Sequence, residues 1–338
     1  MVLMVAAVGA SVFLDLDGNI QVLDIEGKIG DRRPVSLSHQ ARNILVVGSD
    51  SRMGANAKYG HGLESMQSDT LMLVHIAANR EWATLVSLPR DSYVEIPACD
   101  RGDGTQSTPH HFKINEAFSI GGADGDIGGA VACTIKTVER NSGLHIDHFV
   151  VVDFQGFKGM VSALGGIEVC LSEPIHDAGA QLDLDTGCQT VKDEEALGYV
   201  RARYSLGDGS DTGRIGRQQE FMDALLRQAR QKLTTPSALY GFLDSATKSL
   251  TMDRKLAEVQ SLYDLALSFN SIPRDRITFL TVPNYPREVE VPTDKANVVW
   301  RYPQAQALFM SLAMDNEVDP RKLESAEVIP RRSPLPST

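Results

Sequence analysis

The sequence has no hydrophobic run of membrane-spanning length, no excess of basic charge, no Cys-x-x-Cys pair and no paired histidines. Each absence excludes something. A formal net charge of −11 argues against a general nucleic-acid binder, which presents a basic surface. Four cysteines without ligand spacing (Cys99, Cys133, Cys170 and Cys188) argue against structural zinc. No internal repeat points to a solenoid, and no linker divides the stretch 43–315.

The longest apolar run is "MVLMVAAVGASVFL" at 1–14. A bilayer needs ~20 such residues, and no basic residue precedes the run as in a signal peptide. A buried first strand or helix is one reading. The reading preferred here is the back half of a transmembrane anchor, which places the remainder outside the membrane, where disulfides persist. Residues 15–41 are polar and read as a juxtamembrane stalk holding one short strand at 20–25. Residues 42–318 form the main domain, and 319–338 a Pro-rich tail without structure.

Within that domain, short apolar runs at 43–49, 70–77, 82–89, 146–153, 167–171 and 276–283 have the length of strands. Helical spacing marks 128–143, 154–166, 193–200, 214–233 and 302–315, with further helices near 236–250 and 254–269. Strands alternate with helices, and one hairpin turns through "ANRE" at 78–81. The expectation is a single α/β/α domain: a mixed central sheet with helices on both faces.

Arginine is concentrated where lysine is missing. "YVRARYSLGDGSDTGRIGRQQ" at 199–219 carries Arg201, Arg203, Arg214 and Arg217 and no lysine. A guanidinium grips phosphate oxygens bidentately, whereas lysine offers a point charge. Arg201 and Arg203 share a face if the helix before them ends near Val200. Arg214 and Gln218 share a helical face, behind an N-terminus at Ser210–Gly213 suited to an anion. In the hairpin, pairing 77 with 82 puts Asp69 opposite Arg90. Asp50 joins that edge if its strand runs parallel to 82–89, with Arg52 close behind. Carboxylates beside guanidiniums suggest a pyrophosphate ligand with a divalent cation. The plainer alternatives are a strand cap at Asp69, a salt bridge at Arg90, and a solvated ion-pair network with Asp208 and Asp211.

Taken in order, "NILVVGSDSR", "SDTLMLVHI", "ATLVSLPRDSYVEIP", "KINEAFSIGG", "IDHFVVVDFQGFKGMVSALGGIEV", "VKDEEALGYVRARY" and "DTGRIGRQQ" resemble the LytR-CpsA-Psr (LCP) family, and the acidic, cysteine-bearing form is similar to its actinobacterial branch. The resemblance covers about 43–230 closely. It implies a single-pass membrane protein with an extracytoplasmic catalytic domain. It implies a phosphotransferase that moves a glycopolymer from a polyprenyl-pyrophosphate carrier to peptidoglycan. Asp50 and Asp69 carry over as carboxylates for Mg²⁺, with Mn²⁺ as the alternative. Arg90, Lys113, Arg201, Arg203, Arg214 and Gln218 carry over as pyrophosphate contacts. Arg52, Asp91 and Arg217 lie near the site by motif alone. Asp50, Arg90, Arg203 and Arg214 are the expected catalytic residues, Asp50 serving as general base, metal ligand or both. One departure is the length of "MGANAKYGHGLESMQ" between Asp50 and Asp69.

The lipid tail is expected in an apolar groove, with Val161, Leu164, Phe221 and Leu225 as candidate walls against the alternative of ordinary core. Two other functions fit the same motifs: a lipid-pyrophosphate pyrophosphatase using water as acceptor, and a non-catalytic envelope regulator. Co-purification of a polyprenyl phosphate separates the last from the others. The polymer itself is left open. Four cysteines allow three pairings, or buried free thiols. The expected bridges are Cys99–Cys133, tying down the segment with Lys113, and Cys170–Cys188, closing the polar excursion "SEPIHDAGAQLDLDTG" at its base.

Overall fold

The computed structural model describes residues 21–49, 66–202, 211–232, 235–247 and 250–324. Asp50, Arg52 and Arg203, the apolar run at 1–14 and the tail beyond 324 lie outside the described residues.

In chain order the first elements are β1 (Gln21–Leu23), α1 (Glu26–Ile29), β2 (Arg42–Ser49), β3 (Ser68–Ile76), β4 (Ala83–Leu88), β5 (Tyr93–Ile96) and β6 (His110–Lys113). Next come α2 (Glu116–Gly121), α3 (Ile127–Ser142), β7 (His148–Val152), α4 (Phe154–Ala163), β8 (Ile167–Leu171), β9 (Ile175–Asp177), β10 (Leu182–Leu184) and β11 (Gly187–Val191). Then follow α5 (Asp193–Arg201), α6 (Asp211–Lys232), α7 (Pro236–Thr247), β12 (Leu250–Asp253), α8 (Val259–Ser271) and β13 (Ile277–Thr281). The last are β14 (Asn284–Pro286), β15 (Val298–Trp300), α9 (Gln304–Ala313) and α10 (Pro320–Glu324). The α/β class with a mixed central sheet and helices is therefore the observed one.

The residues fall into two compact units, drawn from 1–25, 46–69 and 148–271 and from 26–45, 70–147 and 272–338. In the first, β12 pairs antiparallel with β7 and parallel with β1. Helix α4 starts at Asp153, whose carboxylate accepts the Gly156 N–H at 2.7 Å, an N-cap. Its apolar face builds a cluster with β8, β9, β10, α5 and α6 in which Val161, Leu164 and Phe221 are fully buried and Leu225 packs alongside. The rings of Phe157 and Tyr199 flank Phe221 at 5.4 and 6.0 Å. These candidate groove walls thus pack as core.

The excursion 172–187 corrects one reading. It is not short of apolar anchors: Ile175, Leu182 and Leu184 are buried in the same cluster. "IHD" and "LDL" alternate buried and exposed residues and pair as β9–β10. The bridge Cys170–Cys188 joins directly opposed residues of β8 and β11.

Asp253, the last residue of β12, contributes to the acid sensitivity of this unit. Its carboxylate accepts the Phe149, Lys255 and Leu256 N–H groups and faces His148 Nδ1 at 3.1 Å. Burial pushes the Asp253 pKa up, but the His148 contact and these bonds outweigh it and hold it below the ordinary value. A depressed folded-state pKa gives stability that is present above the unfolded value of about 3.9 and is lost as pH falls through the folded one. Asp253→Asn should flatten the dependence of melting temperature on pH below about 4, read by thermal denaturation.

In the second unit β4 pairs antiparallel with β3 and parallel with β13. The hairpin register runs from Leu71↔Leu88 to Ile76↔Ala83, the constant sum expected from the 77–82 pairing. Helix α3 stops at Gly143, whose φ of 70° lets its N–H close onto the Glu139 carbonyl. Helices α2 and α3 touch through glycine: a Cβ on Gly121 would meet the Gly129 carbonyl oxygen at 2.1 Å. Cys99–Cys133 bridges the chain after β5 to α3 beside that contact. Residues 26–40, expected within a stalk, are fastened to this unit. Lys28 pairs with Asp126 at 2.6 Å, and Arg33 reaches Glu139.

Both disulfides form as expected, and no cysteine is free. A thiol count on unreduced, denatured protein should find none. Closing a loop of this size stabilises by ~3 kcal/mol in the chain-entropy model. Cys170→Ser with Cys188→Ser should accordingly lower the urea midpoint, with any change in slope upward as the released chain exposes more surface.

Candidate functional site

The expected site residues divide between the two units, and each set has its own geometry. In the first, α5 carries three acidic residues in its opening turn and ends at Arg201, one residue later than the sequence suggests, before the chain extends at Ala202. The exposed Arg201 guanidinium lies over the Phe154 ring, 4.8 Å from its centroid. Two side chains of α6 hold this end of α5. Arg217 Nη2 donates to the Ala202 carbonyl, and Gln218 Nε2 donates to the Val200 carbonyl at 3.2 Å. Both carbonyls are among those a helix leaves without intrahelical partners at its C-terminus.

Arg217 is therefore not a surface guanidinium. It is 8% exposed, and burial pulls its pKa below the ordinary value, against the opposing pull of Tyr199, Asp177 and Glu220. The sequence ranked it below its neighbours on motif alone. The structure gives it the task of fixing the backbone between Arg201 and Arg203. Gln218, expected as a ligand contact, gives its amide N–H to the same segment. Arg214 lies in the first turn of α6, and its side chain lies outside the described residues. Asp69 is half-buried near the start of β3.

In the second unit, Arg90 and Asp91 follow β4, and Lys113 ends β6. The Asp91 carboxylate binds Lys113 Nζ at 2.6 Å and faces Arg90 Nε at 3.6 Å. Asp91 thus joins two of the expected phosphate-binding cations, a role that motif position alone did not give it. All three are partly exposed, at 16–27% of their side chains, which leaves charge open to solvent and to an anion. Among the described residues no group of three or more His, Cys, Asp or Glu side chains is arranged to hold a metal ion. Mg²⁺ bound through one or two carboxylates and substrate phosphate oxygens needs no such group, and Asp69 is one carboxylate of that kind.

The pattern of the LytR_cpsA_psr family matches residues 12–314. The chain belongs to the LytR_cpsA_psr family. Among curated relatives it is 34% identical over 281 residues to "Probable cell wall biosynthesis protein LcpB" of Corynebacterium glutamicum, covering 80% of this chain and 60% of that one. It is 33% identical over 250 residues to "Polyisoprenyl-teichoic acid--peptidoglycan teichoic acid transferase TagU" of Halalkalibacterium halodurans, covering 70% of this chain and 71% of that one. "Cell wall biosynthesis protein LcpA" of Corynebacterium glutamicum is matched over 50% of its length, so the chain spans between half and two thirds of its Corynebacterium relatives. Its fold is that of the LytR-Csp2A-Psr enzyme from Actinomyces oris, at a TM-score of 0.61 and 21% identity over 87% of this chain and 96% of that one. A structure described as TagT bound to LI-WTA superposes at a TM-score of 0.60 and 21% identity, over 88% of this chain and all of that one. Among the described residues no helix is long and apolar enough to cross a membrane.

Proposed function

We propose that the chain is an envelope-associated phosphotransferase that moves a glycopolymer from a polyprenyl-pyrophosphate carrier to peptidoglycan. Its family membership supports this, as does the teichoic acid transferase activity named for the TagU relative. The observation that carries it is the double fastening of the α5 terminus: Arg217 and Gln218 spend their donors on the carbonyls of Val200 and Ala202, so that Arg201 is presented from a backbone already held in place. Preorganised donors stabilise developing charge without reorganising during reaction.

In the reaction, the acceptor hydroxyl, the C6 hydroxyl of N-acetylmuramic acid, attacks the phosphorus that bears the glycopolymer. A new oxygen–phosphorus bond forms as the bond to the bridging oxygen breaks, and polyprenyl phosphate leaves with the electron pair. Asp50 takes the hydroxyl proton. The residues assigned by motif as phosphate contacts, Arg90, Lys113, Arg201, Arg203 and Arg214, would neutralise the leaving group. Asp50 and Asp69 would hold Mg²⁺, with Mn²⁺ as the alternative. When bound, the cation would supply charge neutralisation at the phosphates. The lipid places the reaction at the outer face of the membrane, with the N-terminal run as anchor.

The test is transfer from a defined polyprenyl-pyrophosphate-linked glycan to peptidoglycan fragments, with and without Mg²⁺. Metal-dependent attachment is the expected result. Release of the glycan phosphate to water despite saturating acceptor would instead establish a pyrophosphatase.

A further inference from the structure

Strands β14 and β15 carry no residue that the sequence motifs single out, yet β15 contacts the segment bearing Arg90. We propose that Trp300, acting through Ser92, is a positioning residue for the Arg90–Asp91–Lys113 cluster. The inference rests on the reading that this cluster binds the pyrophosphate.

Ser92 follows Asp91 directly and is wholly buried. Its hydroxyl accepts the indole N–H of Trp300 at 2.9 Å. A buried indole N–H requires a partner, and here the partner is the residue next to the charged pair. The surrounding backbone is held as tightly. The Arg90 carbonyl accepts the Asn115 N–H at 3.4 Å, the Asp91 carbonyl the Val298 N–H at 3.0 Å, and the Ser92 carbonyl the Ile114 N–H at 2.8 Å. Three successive carbonyls are thus fixed from two sides, one by the chain after β6 and the other by β15. The Trp300 ring is itself braced, 5.2 Å from the buried ring of Phe309 on α9.

A second contact reaches Lys113. Tyr93 lies directly opposite Lys113 in the β5–β6 ladder. The guanidinium of Arg287 sits over the Tyr93 ring at 3.7 Å, and Arg287 is in turn ion-paired with Asp294 and bonded through its N–H to the Asn297 carbonyl. An apolar residue at 300 would fill the space as well. It would not fix the rotation of the Ser92 side chain, which the backbone bond from Val298 to Asp91 leaves free. The catalytic demand supplies the reason for a directional bond, because a misplacement of about 1 Å at a phosphoryl-transfer site can cost ~10²-fold in rate.

Trp300→Phe keeps the ring and removes the donor. In the transfer assay its kcat should fall ~10-fold or more, with the donor KM nearly unchanged and the folded fraction, read by thermal melting, equal to that of the parent. Ser92→Ala removes the acceptor and should give the same fall. The double variant should fall no further than either single, since both delete one bond. Hydrogen exchange of the amides at 91–93 and 114–115 should quicken in both variants, while β3 stays protected. Unchanged kcat with unchanged exchange in Trp300→Phe overturns the proposal, as do additive losses in the double variant. If the parent protein transfers no glycan, the phosphotransfer reading fails. Hydrogen exchange then still decides whether Trp300 holds this segment.

Discussion

Alanine at Arg90 should leave a folded protein whose turnover is lowered ~10²–10³-fold, the cost of deleting one charged contact to a transition state. Alanine at Arg203 should do the same. When Arg90 is truncated, Asp91 keeps its 2.6 Å pair with Lys113, so the Asp91 carboxylate is not left alone. The backbone bonds of residues 90–92 are made by main-chain groups and survive the truncation. Lysine at 90 restores the charge but not the planar fork, and should recover only part of the rate. The measurement is initial-rate transfer by variants whose melting curves match the parent. Near-normal transfer by both alanine variants would remove the arginine clamp from the mechanism.

Much of the fold can be read from local pattern. The β3–β4 register followed from a four-residue turn, because a hairpin leaves only one way to pair its strands once the turn is fixed. Strand β8 at Ile167–Leu171 and the start of α4 at Phe154 lie where apolar spacing puts them. What escaped is non-local or short. Strands of three residues such as β9, β10, β14 and β15 carry too little pattern to separate from loop. The Ser92–Trp300 bond joins residues 208 apart in sequence, and no periodicity encodes it.

The candidate site shows the same division. The arginine-rich composition of 199–219 marks a segment, but composition does not say which guanidinium faces inward. A signal for Arg217 was available. Residues 217, 221 and 224 fall on one i, i+4, i+7 stripe of α6, and Phe221 and Ala224 are buried, so Arg217 lies on the core face. An arginine on such a stripe has to find a buried acceptor, and the helix terminus beside it offers the Ala202 carbonyl.

A large expected loss of stability lies away from that chemistry, at Arg33. Glu139 is 3% exposed on α3, a carboxylate taken almost wholly out of water. Arg33 reaches it with Nη2 at 2.6 Å and with Nε at 3.1 Å to both oxygens, and the Ile146 N–H adds a bond at 2.9 Å. The same Nη2 donates to the Ile146 carbonyl at 2.5 Å, so one guanidinium ties residues 26–40 to the end of α3 and the turn after it. Removing one partner of a fully buried pair costs ~3–5 kcal/mol; Arg33 is 25% exposed and the Ile146 N–H still binds Glu139, so the cost here falls at or below the lower end of that range. That is a large share of the ~5–15 kcal/mol that holds a typical domain. Arg33→Met should therefore lower the urea midpoint sharply, and Arg33→Met with Glu139→Gln should recover part of the loss by removing the stranded charge. If Arg33→Met alone unfolds at the parent midpoint, the pair carries no stability and the 26–40 segment is held by other contacts.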